Sequence, residues 1–365
     1  MAIEFKDLNI GGLVIRVPII QGGMGVRISA SSLASAVSNE GGLGVVAAVG
    51  LGEEGTEGED FKTRSCNALR DIIRETRART KNPFGVNIMC ALTDYADLVS
   101  VAVQEAVDVI ISGAGLPLKL PSLIKNAVTK LVPIVSSGRA AKIICGTWQR
   151  RYGRLPDAVI VEGPLAGGHL GYSREELKDS KNFSLAGILQ DVISVMKDFE
   201  KEGRRIPVIA AGGVFDGEDI ACAVRSGAAG VQMATRFVCT TECDASIEYK
   251  NAYLAAEEKD IVIINSPVGM PGRVLNNDFV KRICTGERID FDCEYQCLST
   301  CDAKKANYCI AKALINAYRG ALDKGFAMCG SNAYRIKKIV SVKELMSELT
   351  ADTSHALQNE EKGEQ

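Results

Sequence analysis

PVIAAGGVFDGEDIACAVRSGAAGVQMATR, residues 207–236, holds one complete repeat of the fold. The run 207–211 is apolar and lacks the in/out alternation of a half-exposed sheet, so it reads as a strand buried on both faces. Gly212 and Gly213 then permit a tight turn. Asp216-Gly-Glu-Asp219 opens a helix over 216–226, and Gly227 ends it. A second apolar run, 229–233, follows. A strand, a helix and a strand in this order require parallel pairing, because only a crossover of that length returns the chain to the same edge.

The same unit extends towards the N-terminus. Short apolar runs lie at 17–21, 43–49, 85–90, 107–111, 132–136 and 157–162, making eight with the two above. Helical spacing is found at 29–39, 63–80, 94–107, 121–130, 138–151 and 184–202. Eight strand–helix repeats, with glycine-rich loops after the strands, predict an α/β fold of the (β/α)8 TIM-barrel type over residues 1–240. Residues 241–350 break the pattern and are expected to form an appended Cys-rich helical lobe covering the barrel. They include a helix near 244–258, a strand at 261–265 and a helix from about 303 to 323. The polar stretch 351–365 is expected to be a disordered tail.

Composition narrows the function. The 365 residues carry 43 Lys and Arg against 45 Asp and Glu, a net charge of −2 that offers no basic face for nucleic acid. No apolar run approaches the ~18 residues of a membrane span. The first residues do not read as a secretory signal, so a cytoplasmic protein is expected. There the 12 Cys are core filler, reactive thiols or metal ligands rather than disulfides.

Barrel chemistry sits at strand C-termini. Gly212 and Gly213 after the seventh strand, with small residues after the eighth, would bring backbone N–H groups up to a phosphate, and Thr235 would add a hydroxyl donor; Gln232, at the end of the eighth strand, is a further expected cofactor contact. Gly22, Gly23 and Met24 follow the first strand, and Asn87 lies on the third. Gln21 and Asn87 would either meet a planar heterocycle or satisfy loop backbone. The sixth strand ends at Glu162, which would orient a cofactor hydroxyl or cap the loop. Gly167, Gly168 and His169 follow. The chain has two His, and His355 falls in the expected tail, so His169 is the one candidate for imidazole chemistry.

Together Pro18-Ile-Ile-Gln-Gly-Gly-Met-Gly25, Gly85-Val-Asn-Ile88, Ala166-Gly-Gly-His-Leu-Gly171, Ala211-Gly-Gly213 and Gly230-Val-Gln-Met-Ala-Thr-Arg-Phe237 resemble the nitronate monooxygenase (2-nitropropane dioxygenase) family. Its superfamily includes flavin-dependent enoyl-acyl-carrier-protein reductases. The resemblance implies an FMN-dependent barrel with the flavin phosphate on Gly212, Gly213, Ala234 and Thr235. It sets the flavin ring near Gly22, Gly23, Met24 and Asn87, and makes His169 the catalytic residue. Ala234 stands where the family often has Gly. The implied reaction is oxidation of an alkyl nitronate by the flavin, with O2 as reoxidant and carbonyl compound and nitrite as products. His169 would remove the α-proton, if its pKa lies near neutrality, or hold a nitronate already formed. The alternative is an NAD(P)H-dependent enoyl-thioester reductase. A second alternative is a non-catalytic flavin or metal electron-transfer partner.

Cys293, Cys297, Cys301 and Cys309 are spaced C-x3-C-x3-C-x7-C. On a helix the first three would share a stripe, because each four-residue step drifts only about 40°. They would then ligate an iron–sulfur cluster or structural metal with Cys309 as fourth ligand, form a buried face of small apolar thiols, or make a redox disulfide.

Overall fold

The structure, a computed structural model, describes residues 5–53, 58–124, 128–179, 183–200 and 204–363. Each of the eight apolar runs is a barrel strand: Ile19–Gln21, Gly44–Ala47, Phe84–Met89, Val109–Gly113, Lys130–Val135, Val159–Glu162, Val208–Ala211 and Gly230–Met233. All neighbours pair in parallel, with Ala210 opposite Val161 on one side and Val231 on the other. The eighth strand pairs with the first through Gln232 and Ile20. The ring closes where the Gln21 amide donates to the Leu43 carbonyl at 2.9 Å and the Leu43 amide donates to that of Ile19 at 3.0 Å.

Two cores result. Ile20, Val45, Val109, Ile111, Val132, Ile160 and Ile209 fill the barrel interior. A larger outer core lies between strands and helices and includes Val86, Ile110, Leu131, Trp148 and Val192. Full burial of each such side chain is worth ~1.5–3 kcal/mol. The interior has a plug that the repeat pattern did not show. Leu8–Ile10 and Leu13–Ile15 form a hairpin whose turn needs positive φ at Gly11 and Gly12 (57° and 93°). Its Leu8, Ile10 and Ile15 join the interior cluster. Leu8 reaches the start of the eighth strand at Gly230, so the hairpin shuts the end opposite the strand C-termini.

The helix Gly217–Arg225 carries the expected caps, with Asp216 accepting from the Asp219 amide. The helix expected at 121–130 is reduced to Leu120–Leu123; 125–127 lie outside the described residues, as do 201–202 at the end of the 184–202 segment. The helix Ser31–Asn39 is capped from afar, by the Asp244 carboxylate, which accepts from the amides of Ala30, Ser32 and Leu33.

After residue 240 come helix Ile247–Ala255, antiparallel strands Ile261–Asn265 and Pro271–Leu275, and helices Asp278–Cys284, Ile310–Tyr318 and Val342–Gly363. Three expectations are corrected here. The stretch from 351 is not a disordered tail: it continues the last helix to Gly363, beyond which 364–365 lie outside the described residues. Leu345, Met346, Leu349, Thr353, Ala356 and Leu357 form its buried stripe. The stripe was hard to read because Thr353 and Ala356 occupy apolar positions. Thr353 satisfies its hydroxyl on the Leu349 carbonyl at 2.6 Å, and Arg225 of the barrel donates to the Ala356 carbonyl at 2.8 Å. The helix expected from about 303 begins only at Ile310, and the stretch carrying Cys293, Cys297 and Cys301 is not helical at all.

Candidate functional site

The strand C-termini open into a cavity of about 440 Å³. Gly22, Gly23, Met24, Asn87, Glu162, Gly167, Gly168, His169, Gly212, Gly213, Gln232, Ala234 and Thr235 all line it. Among the four cysteines singled out above, Cys297 lines it as well.

Backbone conformation explains the glycines on one side. Gly212 and Gly213 have φ of 89° and 95°, and a Cβ on Gly212 would sit 2.8 Å from the Gly163 carbonyl oxygen. A side chain there would strain the loop and fill the space between two strand ends. Asn332 fixes the turn by donating to the Gly213 carbonyl at 2.7 Å. Ala234 has φ of −126°, so the methyl group that departs from the family's glycine carries no strain. Thr235 begins a short helical turn, and its hydroxyl accepts from the Gly330 amide at 3.0 Å.

On the other side, Gly23 lets the loop press on Asn87, whose Cβ would lie 2.5 Å from a Cβ placed there. Gln232 has a buried side-chain oxygen with no hydrogen-bond partner. A buried acceptor left unpaired costs ~1–3 kcal/mol unless a ligand donates to it. Gln21 takes the blander of its two readings. Its amide spans Gly22 and Val45, accepting from the Val45 amide at 3.0 Å, and so ties the first two strands.

His169 is held by a sheet that the barrel does not own. Gly168–His169 forms a short strand, with His169 opposite Gly272 of Pro271–Leu275. The His169 Nε2 meets the Ser266 hydroxyl at 2.8 Å, at the turn between the two antiparallel strands. Beneath the loop, the buried Arg273 guanidinium donates to the carbonyls of Pro164 and Ala166. Gly167 passes so close to Cys329 that a Cβ would lie 2.5 Å from its carbonyl carbon. Ser266 and Arg273 were missed in the sequence because they lie beyond the barrel repeats. Only the Ser-Pro and Pro-Gly turn signals around them were visible.

Burial sets the charge state of the cavity. It pushes the His169 imidazole down from 6.5 to about 4 and the Glu162 carboxyl up from 4.5 to about 7. A ring with that pKa is neutral at ordinary pH and a weak base. The condition of a near-neutral pKa is therefore not met, which favours holding a preformed anion over deprotonating a carbon acid. No Lys or Arg lines the cavity among the described residues. An anion brought beside the ring would itself raise the imidazole pKa and recover a charge-assisted hydrogen bond.

The donor set fits a flavin mononucleotide: small residues for a phosphate, an orphaned acceptor for a ring N–H, and apolar walls. The expectation of an iron–sulfur cluster or structural metal at Cys293, Cys297, Cys301 and Cys309 finds no support. Among the described residues no group of three or more His, Cys, Asp or Glu is placed to hold one. No helix among the described residues is long and apolar enough to cross a membrane.

The chain is 32% identical over 271 residues to (3aS,4S,5R,7aS)-5-hydroxy-7a-methyl-1-oxo-octahydro-1H-indene-4-carboxyl-CoA dehydrogenase of Mycobacterium tuberculosis, covering 74% of this chain and 66% of that protein, just under two thirds. It is 30% identical to a nitronate monooxygenase of Pseudomonas aeruginosa, over 66% of this chain and 71% of the other. Among solved structures, FabK from Thermotoga maritima superposes with a TM-score of 0.73 at 31% identity, covering 94% of this chain and 95% of that one. The model of the flavin-dependent nitronate monooxygenase family matches residues 6–352, and the protein belongs to that family.

Proposed function

We propose that the protein is an FMN-dependent oxidoreductase of the nitronate monooxygenase type, oxidising an alkyl nitronate to a carbonyl compound and nitrite. The observation that carries this is that His169, the one imidazole lining the cavity among the described residues, shares that cavity with Gly212, Gly213, Ala234 and Thr235. Gly212, Gly213, Ala234 and Thr235 would hold the flavin phosphate. Gly22, Gly23, Met24, Asn87 and Gln232 would face the ring system, and Glu162 would take a ribityl hydroxyl. When bound, FMN supplies the redox chemistry, accepting electrons from the substrate and passing them to O2. His169 would receive the nitronate oxygen as a neutral hydrogen-bond donor, and the anion beside it would draw the imidazole pKa upward. Ser266 fixes the ring's orientation. The apolar walls, including Met24, Met89, Ile134 and Leu314, keep water from the reacting carbon.

A second reading has its own support. A relative at 32% identity is named as a carboxyl-CoA dehydrogenase, and the cavity wall has no cation for a permanently anionic substrate. In that reading NAD(P)H is the electron donor and a neutral enoyl thioester the acceptor, with His169 donating to the developing enolate oxygen.

Anaerobic half-reactions test both. Mixing the FMN-loaded protein with propyl nitronate should bleach the flavin, and air should restore the colour with release of nitrite. Bleaching by NAD(P)H, with none by nitronate, would replace the first reading by the second. A protein that takes up no FMN would overturn both.

A further inference from the structure

We propose, resting on the FMN reading above, that Arg273 is the counter-charge for the phosphate of the bound flavin. It acts from behind the cavity wall, through the loop from Pro164 to Gly167. The FMN reading leaves a charge unanswered. A phosphate monoester carries about −1.5 to −2 charges at pH 7, and no Lys or Arg lines the cavity among the described residues.

Two cations are buried among the described residues, Lys250 and Arg273. The Lys250 ammonium donates to the Thr240 carbonyl at 2.8 Å, beyond the C-terminal end of the turn Thr235–Val238. Arg273 is 6% exposed, and no carboxylate among the described residues pairs with it. Its hydrogen bonds leave from one nitrogen, Nη1, to the Pro164 carbonyl at 3.0 Å and to that of Ala166. A buried charge held by neutral dipoles alone destabilises a fold unless a counter-charge lies near. An arginine cannot escape this by losing its proton.

Contacts place the guanidinium next to the phosphate cradle. Ala166, which accepts from Arg273, also packs on Gly212: a Cβ on that glycine would lie 3.0 Å from the Ala166 Cβ. Leu165 stands equally close to Gly213. On the other flank, the Cys329 amide donates to the Arg273 carbonyl at 3.1 Å. The next amide, that of Gly330, donates to the Thr235 hydroxyl, and the Ser331 amide donates to the Leu165 carbonyl at 3.2 Å. Arg273 is therefore one residue removed from each half of the cradle. Its bonds also aim peptide groups. In a trans peptide the C=O and N–H point in opposite directions. With the carbonyls of Pro164 and Ala166 turned to Arg273, the amides of Leu165 and Gly167 are turned away from it. Neither amide donates elsewhere among the described residues, and both residues line the cavity. The guanidinium polarises two peptides whose positive ends are free for an anion.

The test compares FMN with riboflavin, which lacks only the phosphate, on the flavin-free full-length protein. Arg273→Gln keeps N–H donors for the loop and removes the charge. Arg273→Lys keeps the charge. Arg273→Gln should weaken FMN binding about 10- to 100-fold, a Coulomb effect across one buried layer, and change riboflavin binding little. Arg273→Lys should keep the wild-type preference for FMN. Phosphorus NMR of bound FMN gives a readout that needs no variant. A free phosphate monoester loses its second proton near pH ~6, and a nearby cation should move that midpoint down by about one pH unit or more. In Arg273→Gln the midpoint should rise again. A wild-type midpoint at or above ~6 would overturn the proposal. So would an unchanged FMN preference in Arg273→Gln, its loss in Arg273→Lys, or equal weakening of both flavins, which would leave Arg273 a structural tie for the loop. Wild-type protein that binds neither flavin would overturn the FMN reading as well, whereas the other failures leave it standing.

Discussion

The two ends of the active cavity are built differently. On the barrel side, Gly212, Gly213, Ala234 and Thr235 belong to consecutive repeats of one unit, and each lies one or two residues past a strand. What they offer is main chain, set by the barrel's closure. On the C-terminal side, Ser266, Arg273, Tyr253, Cys297 and Met328 come from an unrelated turn, strand, helix and coils. What they offer is side chains that orient, wall and cover. Tyr253, for example, is buried with its hydroxyl on the Met328 carbonyl. The repeated half is suited to a group every family member shares, and the irregular half to whatever differs between members. His169 stands where they meet: its loop leaves the sixth barrel strand, but its ring and backbone are held by residues after 260.

That contrast can be broken at four points. The largest effect is expected at the junction. His169→Ala should lower turnover by about 10²–10³-fold, the cost of losing one anion-stabilising donor, with FMN content unchanged, as read by steady-state rates and the flavin spectrum. Turnover equal to wild type would remove the imidazole from the chemistry.

Next comes Glu162. Its carboxyl ionises near 4.5 in the unfolded chain and near 7 in the fold. A raised folded pKa gives stability that is complete below pH 4.5 and is lost as pH rises through 7. Relative to Glu162→Gln, the flavin-free wild-type protein should therefore lose at most about 3 kcal/mol between pH 4 and pH 8. Denaturant melts at the two pH values check this, and parallel curves for the two proteins would refute it.

On the barrel side, Gly212→Ala should weaken FMN binding about 10- to 100-fold, from the ~1–3 kcal/mol cost of a side chain at that φ. Turnover at saturating FMN should change much less. A flavin titration with unaltered affinity would show that the cradle lies elsewhere. The smallest effect is on the C-terminal side. Ser266→Ala removes one neutral hydrogen bond, worth ~0.5–1.5 kcal/mol, and should lower kcat several-fold without altering FMN affinity. Because Ser266 acts through the ring, its removal should also shift the pH profile, and a change confined to the melting temperature would reduce it to a structural residue.

Much of the barrel was legible because its signals are local. A buried parallel strand is a short apolar run whatever its neighbours, and the Asp216 and Gly227 caps act within their own helix. The glycine loops and His169 followed from strand ends. Less legible were elements whose buried residues are small or polar. Thr353 and Ala356 hid the stripe of the last helix, and the Gly11–Gly12 hairpin escaped because its strands are three residues each. The regular four-residue spacing of Cys293, Cys297 and Cys301 suggested a helix. The chain there follows contacts with the barrel loop at 91–93 instead.

The sequence by itself determined the eight strands, their parallel order and the strand-end glycines, because each depends on interactions within one repeat. Tertiary structure decided the partners. Asp244 caps a helix whose first residue is Ser31, Ser266 orients His169, and Arg273 supports the loop from Pro164 to Ala166. Each joins positions about one hundred to two hundred residues apart. Such pairs are brought together only when the barrel has closed and the chain after residue 240 has packed across its mouth, and no local pattern records them.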